Sequence, residues 1–245
     1  MIRVLGLIPA RGGSKGIPRK NIKRIAGKPL LAFTAESALS ARLLSRVVLS
    51  TEDDEIAQVG RGLGLDIPFI RPSDLAEDST PTLPVVIHAL EALEKLGDRF
   101  DAVCLLQPTS PLRRAKDIDG CIELMETAEA DSVLSVLPVP KTYNPHWVYL
   151  KNEHGGLSLS TGDKEPIPRR QELPPSFHRD GSVYVTRVAT IRSSGNLYGD
   201  RVFGYEIPAE FSSNLDTDDD WRELDSRLAA NKAHRMTSEG QIQVY

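Results

Sequence analysis

Val4-Leu5-Gly6-Leu7-Ile8-Pro9, running into Ala10-Arg11-Gly12-Gly13-Ser14-Lys15-Gly16-Ile17-Pro18-Arg19-Lys20-Asn21, is the stretch that decides the fold. The apolar run Val4 to Ile8 predicts a buried first strand. Behind it come three glycines, one serine and four cations within a short loop. Glycine lets backbone N–H groups approach a ligand and turn without a Cβ in the way. Successive N–H groups in such a turn form an anion-binding concavity, and Arg and Lys add donors suited to phosphate. The expectation is a strand followed by a polyphosphate grip. It is neither a P-loop, because no Lys-Ser or Lys-Thr follows the second glycine, nor a dinucleotide G-x-G-x-x-G turn. A plain surface turn with solvated cations is the competing reading.

Outward from this stretch, strand-like runs alternate with helical patterns. Strands are predicted at 4–8, 46–50, 67–70, 102–106, 132–137, 182–186 and near 202–207. Helices are predicted at 29–44, 53–63, 82–96, 116–128 and 188–192, with a last one from about 218. Alternation of this kind predicts an α/β fold, a mostly parallel sheet with helices on both faces. Ligands then sit at the carboxyl ends of the strands, near a switch in strand order. The glycine loop and the loop Gln107-Pro108-Thr109-Ser110-Pro111-Leu112-Arg113 should open on that one edge.

The composition narrows the classes. At 245 residues one large domain covering 1–245 is expected. A formal net charge of −4 gives no general case for nucleic-acid binding, so the N-terminal cations are a local feature. No apolar run is long enough for a membrane span. The first apolar stretch is short and leads into Arg11, so no signal peptide is expected and the cytoplasm is the expected compartment. Cys104 and Cys121 fall in a predicted strand and on a predicted helix face and read as reduced core residues.

Between 138 and about 180 prolines recur and apolar positions scatter, with Gly155-Gly156 marking a hairpin turn. This reads as an extended arm that packs on a partner subunit, a surface excursion being the alternative. Gln107, Thr109, Ser110 and Arg113 supply neutral hydrogen-bonding groups and a cation for a polar substrate, although Pro108 and Pro111 also fit simple turn chemistry. Asn214 and Asp216 offer hard oxygens at i, i+2 spacing, suited to Mg²⁺. Thr217 reads as a helix N-cap, with Asp218 to Asp220 complementing the positive helix start. No nucleophilic triad stands out, and His88 reads as structural. A cation-lined phosphate loop, a polar loop and a metal carboxylate together point to direct nucleotidyl transfer.

The glycine loop and Leu106-Gln107-Pro108-Thr109-Ser110-Pro111-Leu112-Arg113 resemble the acylneuraminate cytidylyltransferases. Arg71-Pro72 with Leu75-Ala76, and Arg170-Gln171-Glu172-Leu173-Pro174 through Phe177 to Gly181 and Tyr184, agree with that family. The resemblance implies the three-layer nucleotide-diphospho-sugar transferase fold. It implies CTP and an acidic nine-carbon sugar as substrates, Mg²⁺ as cofactor, and a homodimer built through the 138–180 arm. It assigns Ala10, Arg11, Gly12, Gly13, Ser14, Lys15, Lys20, Asn21, Arg71 and Thr82 to the nucleotide, and Gln107, Arg170, Gln171, Phe177, Arg179, Asp180 and Tyr184 to the sugar. Arg11, Lys20 and Asp216 are the implied catalytic groups, with Asp216 and Asn214 at the metal. The chain departs from the family pattern at Asn214, where an acid is usual, at Asp180, where Asn is usual before Gly181, and at His178-Arg179. The alternatives are a 3-deoxy-octulosonate-type cytidylyltransferase and a non-catalytic nucleotide-binding protein.

Overall fold

The computed structural model describes residues 2–239 apart from Lys15, with side chains as far as residue 229. β1 (Val4–Pro9) is flanked by two tightly turned strands, β2 (Arg24–Ile25) and β3 (Lys28–Pro29), and by α1 (Leu30–Leu39). Then come β4 (Arg46–Ser50), α2 (Asp54–Gly62), α3 (Thr82–Lys95), β5 (Ala102–Leu105), α4 (Ala115–Thr127) and β6 (Ser132–Pro138). The arm carries a small hairpin, β7 (Tyr149–Lys151) and β8 (Leu157–Leu159). The chain closes with β9 (Phe177–Arg187), α5 (Val188–Ser194), β10 (Val202–Glu206) and α6 (Asp218–Glu239).

Six strands form one sheet in the order β10-β6-β9-β5-β1-β4. β9 runs antiparallel to both of its neighbours, and every other pairing in the sheet is parallel. The strand order reverses at β1, since β4 lies on one side of it and β5 on the other. That reversal opens a crevice beyond the carboxyl end of β1, where the glycine loop emerges.

The alternation within β1 explains the two buried layers. Val4 and Ile8 pack with Leu31, Ala35 and Ala38 of α1 and with Ile118, Cys121, Ile122 and Met125 of α4. Leu5 and Leu7 point the other way, onto Val86, Ala89, Leu90 and Leu93 of α3 and onto Ile191 of α5. Both cysteines are buried and unbridged, and burial pushes the Cys104 thiol up to about 12. A third cluster, Ile25, Leu30, Leu215 and Leu224 with Trp221 and Leu228 against it, docks α6 on the β2–β3 turn. This cluster carries the Asn214–Asp216 segment to the glycine loop.

Three expectations change. Residues 67–70 form no strand. Only an isolated bridge from Asp66 to Val48 extends the edge, because Pro68 and Pro72 remove donors that a ladder needs. The first helix ends at Leu39, not 44, and Arg42 N and Leu43 N donate instead to the buried Asp119 carboxylate. The strand expected at 182–186 begins earlier, at Phe177, so the last residues of the 138–180 arm belong to the main sheet. Among the described residues no helix is long and apolar enough to cross a membrane.

Candidate active site

A cleft of about 250 Å³ opens over the carboxyl ends of β1 and β5. Arg11, Gly13, Ser14, Lys20, Asn21, Arg71 and Thr82 line it together with Leu75, Glu77, Asp78, Thr80 and Gln107. Beside it, Gln107, Thr82, Arg179, Asp180, Gly181, Tyr184 and Asn214 line a second concavity of about 350 Å³. Gln107 and Thr82 belong to both, so the two halves are contiguous. Thr82 is the first residue of α3, which turns the positive end of that helix toward both halves.

The loop is held by acids. The Gly12 N–H donates to Glu52 Oε1 at 2.7 Å. Arg19 pairs with Asp53 and Glu55, and Arg11 lies 2.5 Å from Asp78. Lys20 Nζ donates to the Leu215 carbonyl at 2.7 Å and sits 3.5 Å from Asp216 Oδ1. Burial lowers the Lys20 pKa, and the Asp216 charge opposes that shift. Leu215 N–H in turn donates to Thr109 O at 3.0 Å, so the Asn214–Asp216 segment bridges the glycine loop and the Gln107 loop. Asn21, itself buried, donates to Arg11 O at 2.9 Å and fixes the loop from behind.

Asp53 has a second task as N-cap of α2, accepting from Ile56 N–H at 2.9 Å. The Arg19 guanidinium holds the Asp53 carboxyl below its usual range; burial opposes this and the Ile56 N–H reinforces it. A carboxylate depressed in the folded state stabilises above its unfolded pKa of about 3.9 and loses that contribution as pH falls through the lower folded value. Asp53→Asn should therefore flatten the loss of thermal stability on acidification below about pH 4. Melting curves across pH 2.5 to 6 read this, and parallel profiles for wild type and variant would rule it out.

Not every candidate reaches the cleft. Ala10 is buried behind it, and Gly12 touches it only through its neighbours. Arg71 borders the cleft but is 4% exposed, with donors spent on Ser50 and on Leu75 O. Arg113, expected to face a polar substrate, is a correction: it is fully enclosed and donates to Ser182 O, Thr34 Oγ1 and Gln107 O. Arg170 and Gln171 sit in an exposed turn outside both halves, and Phe177 lines an apolar hollow with Val202 and Phe203 on the β6–β10 side of the sheet. Lys15 lies outside the described residues. Asp216 stands behind Lys20 and does not itself line either half. Glu52 and Asp78 escaped the sequence reading. The signal for Asp78 was the acidic pair Glu77-Asp78 in the loop between Arg71 and Thr82, both expected at the nucleotide.

Asn214 Nδ2 donates to Asp216 Oδ2 at 2.6 Å. Thr217 and Asp220 cap α6 reciprocally, through Thr217 N–H to Asp220 Oδ2 at 2.7 Å and Asp220 N–H to Thr217 Oγ1 at 3.2 Å. No group of three His, Cys, Asp or Glu side chains placed to hold a metal ion occurs among the described residues. The donor set is thus one exposed carboxylate and one amide. That fits a hard cation completed by phosphate oxygens and water, and does not fit an all-protein cage.

Comparison with known proteins agrees with this geometry. A "CMP-N,N'-diacetyllegionaminic acid synthase" of Legionella pneumophila is 31% identical over 236 residues, spanning 94% of this chain and 98% of that protein. An "N-acylneuraminate cytidylyltransferase A" of Danio rerio is 31% identical over 227 residues, 92% of this chain but 50% of that protein. A solved CMP:2-keto-3-deoxy-manno-octonic acid synthetase complexed with CTP superposes with a TM-score of 0.70 over 94% of this chain and 99% of its own, at 18% identity, and so shares the fold. The cytidylyltransferase family model matches residues 5–191, from β1 through both loops and β9, and the chain belongs to that family.

Proposed function

We propose that this chain transfers CMP from CTP to the anomeric hydroxyl of an acidic nine-carbon sugar of the sialic, legionaminic or related type, releasing pyrophosphate. The observation that carries the reading is the pair of contiguous half-sites sharing Gln107 and Thr82, one lined by loop cations and the other by β9. Arg11, Ser14 and Lys20 hold the triphosphate and neutralise charge on the departing pyrophosphate. Arg179 and Tyr184 face the sugar from β9, and Gln107 orients it beside the α-phosphate. Asp216, with Asn214, would hold Mg²⁺, which supplies charge neutralisation at the phosphates. Such catalysis is positioning and electrostatics. The test is pyrophosphate release from CTP and Mg²⁺ with a panel of nonulosonic acids and 3-deoxy-octulosonate. Release with a nonulosonic acid is expected. Release with the octulosonate alone would move the reading to that sugar, and release with none would end the enzyme reading.

The arm supports a homodimer. Tyr149, Leu150 and Leu157 are exposed, with Leu150 at 59% and Leu157 at 65%, on a hairpin too small to bury them, and Tyr143 is exposed in the turn that precedes it. Arg170 and Gln171, outside the cleft of their own chain, are then placed to reach that of a partner. Deleting 146–165 should yield a monomer by light scattering, and a dimer that survives the deletion would refute the arm's role.

A further inference from the structure

The sugar half of the cleft is walled by a long irregularity in β9. Pairing with β6 runs from Pro138↔Phe177 to Val136↔Arg179 and resumes at Leu134↔Tyr184. Residues 180–183 of β9 therefore face Ser135 alone on β6. Such a bulge leaves backbone groups without ladder partners and re-aims the side chains around it. Here the missing partners are supplied by side chains. Ser135 Oγ accepts from Val183 N–H at 2.8 Å, and its proton goes to Asp180 Oδ1. The same Asp180 oxygen accepts from Ser182 N–H at 3.1 Å, and Oδ2 accepts the Ser182 hydroxyl. Gly181 at the crest has φ 91, a conformation that side chains disfavour.

Asp180 is 8% exposed and Arg113 4%. Each charge is costly to bury alone. They meet through Ser182, whose carbonyl takes Arg113 Nε at 2.5 Å while its N–H and hydroxyl go to Asp180. Arg113 reaches on to Gln107 O, also at 2.5 Å. The opposite walls of the sugar half, Gln107 on one side and Arg179 to Tyr184 on the other, are thereby fixed to one buried charge pair.

We propose that Asp180 and Ser135 are positioning residues for the acidic sugar: they hold the β9 bulge that aims Arg179 and Tyr184 into the sugar half, and the Asp180 carboxylate does not contact the sugar. Although Asp180 borders the cleft, its oxygens already accept three hydrogens from Ser135 and Ser182. The carboxylate common to this class of sugar is met instead by Arg179, which lines the sugar half together with Tyr184. Ser135 is 1% exposed and lies on β6, away from both halves, which makes it the discriminating position.

This inference rests on the nonulosonate reading for its substrate, and its test separates the two. Wild type, Asp180→Asn, Ser135→Ala and the double variant are compared by pyrophosphate release and by hydrogen–deuterium exchange. Each single variant should raise the sugar KM about tenfold and leave the CTP KM within about twofold, with the double variant close to the singles because one device is broken twice. Backbone exchange should rise in 179–184 and stay unchanged in 11–21. A raised sugar KM for Asp180→Asn with none for Ser135→Ala would mean direct contact and overturn the proposal. A fall in melting temperature with both KM values unchanged would reduce the pair to a structural role and also overturn it. If Asp180→Asn does not fold, Ser135→Ala decides alone. If wild type accepts no sugar, the functional reading fails on its own, and unchanged exchange at 179–184 in the variants still refutes the bracing role.

Discussion

Lys20→Ala lowers turnover by roughly two to three orders of magnitude, the size of effect seen when one preorganised donor is removed from a developing charge. The ammonium lines the phosphate half of the cleft and is held there by Leu215 O at 2.7 Å and by Asp216 at 3.5 Å. On the proposed reading, alanine removes the charge that offsets the leaving pyrophosphate, and it unties the glycine loop from the Asp216 segment. Stability changes far less. The loss is about one hydrogen bond, on the order of 1 kcal/mol, and relief of a partly buried ammonium acts in the opposite direction. Steady-state pyrophosphate release and a thermal melt read the two quantities. Comparable losses in both would make Lys20 a scaffold residue.

Gly16→Ala is the second large effect, and it contrasts with Gly13→Ala three residues away. A Cβ on Gly16 would stand 2.2 Å from the Asp216 carbonyl oxygen, which is backbone and cannot rotate aside. The glycine loop and the Asn214–Asp216 segment must separate, carrying Lys20 away from both of its acceptors. At Gly13 nothing lies within 4 Å of the added carbon, so the loop keeps its shape. We expect Gly16→Ala to lose about a hundredfold in kcat/KM, of the order found for small misplacements of catalytic groups, and Gly13→Ala to stay within a few-fold. Similar values for the two variants would show that the loop does not rest on the Asp216 carbonyl.

The order and type of the elements were legible because each strand and helix carries its own period. Val4 to Ile8 and the stripe Leu83, Val86, Ile87, Leu90, Leu93 announce themselves without reference to neighbours, and that stripe packs on one cluster. Residues 67–70 have the apolar content of a strand, but Pro68 within them and Pro72 just beyond leave only the preceding residue, Asp66, bridged to Val48. The side chains that bind were harder to separate from those that brace. Arg71 and Arg113 have the composition of ligand-binding cations, and only the packing shows their donors spent on Ser50, Ser182, Thr34 and Gln107. The acids Glu52 and Asp78 were missed for the converse reason: carboxylates beside a phosphate loop look wrong until one sees that they hold its N–H and guanidinium groups.

The direction of β9 left no trace in the sequence, and it has an evolutionary consequence. The chain leaves the sheet from the carboxyl end of β6, makes its excursion, and re-enters through an antiparallel strand whose first residues lie at that same edge, Phe177 opposite Pro138. Everything between is attached at one border of the core and crosses none of its parallel ladders. A lineage can therefore rewrite this insert by recombination while inheriting the parallel core and its glycine loop intact. Grafting 139–176 from a relative is the laboratory version of that event.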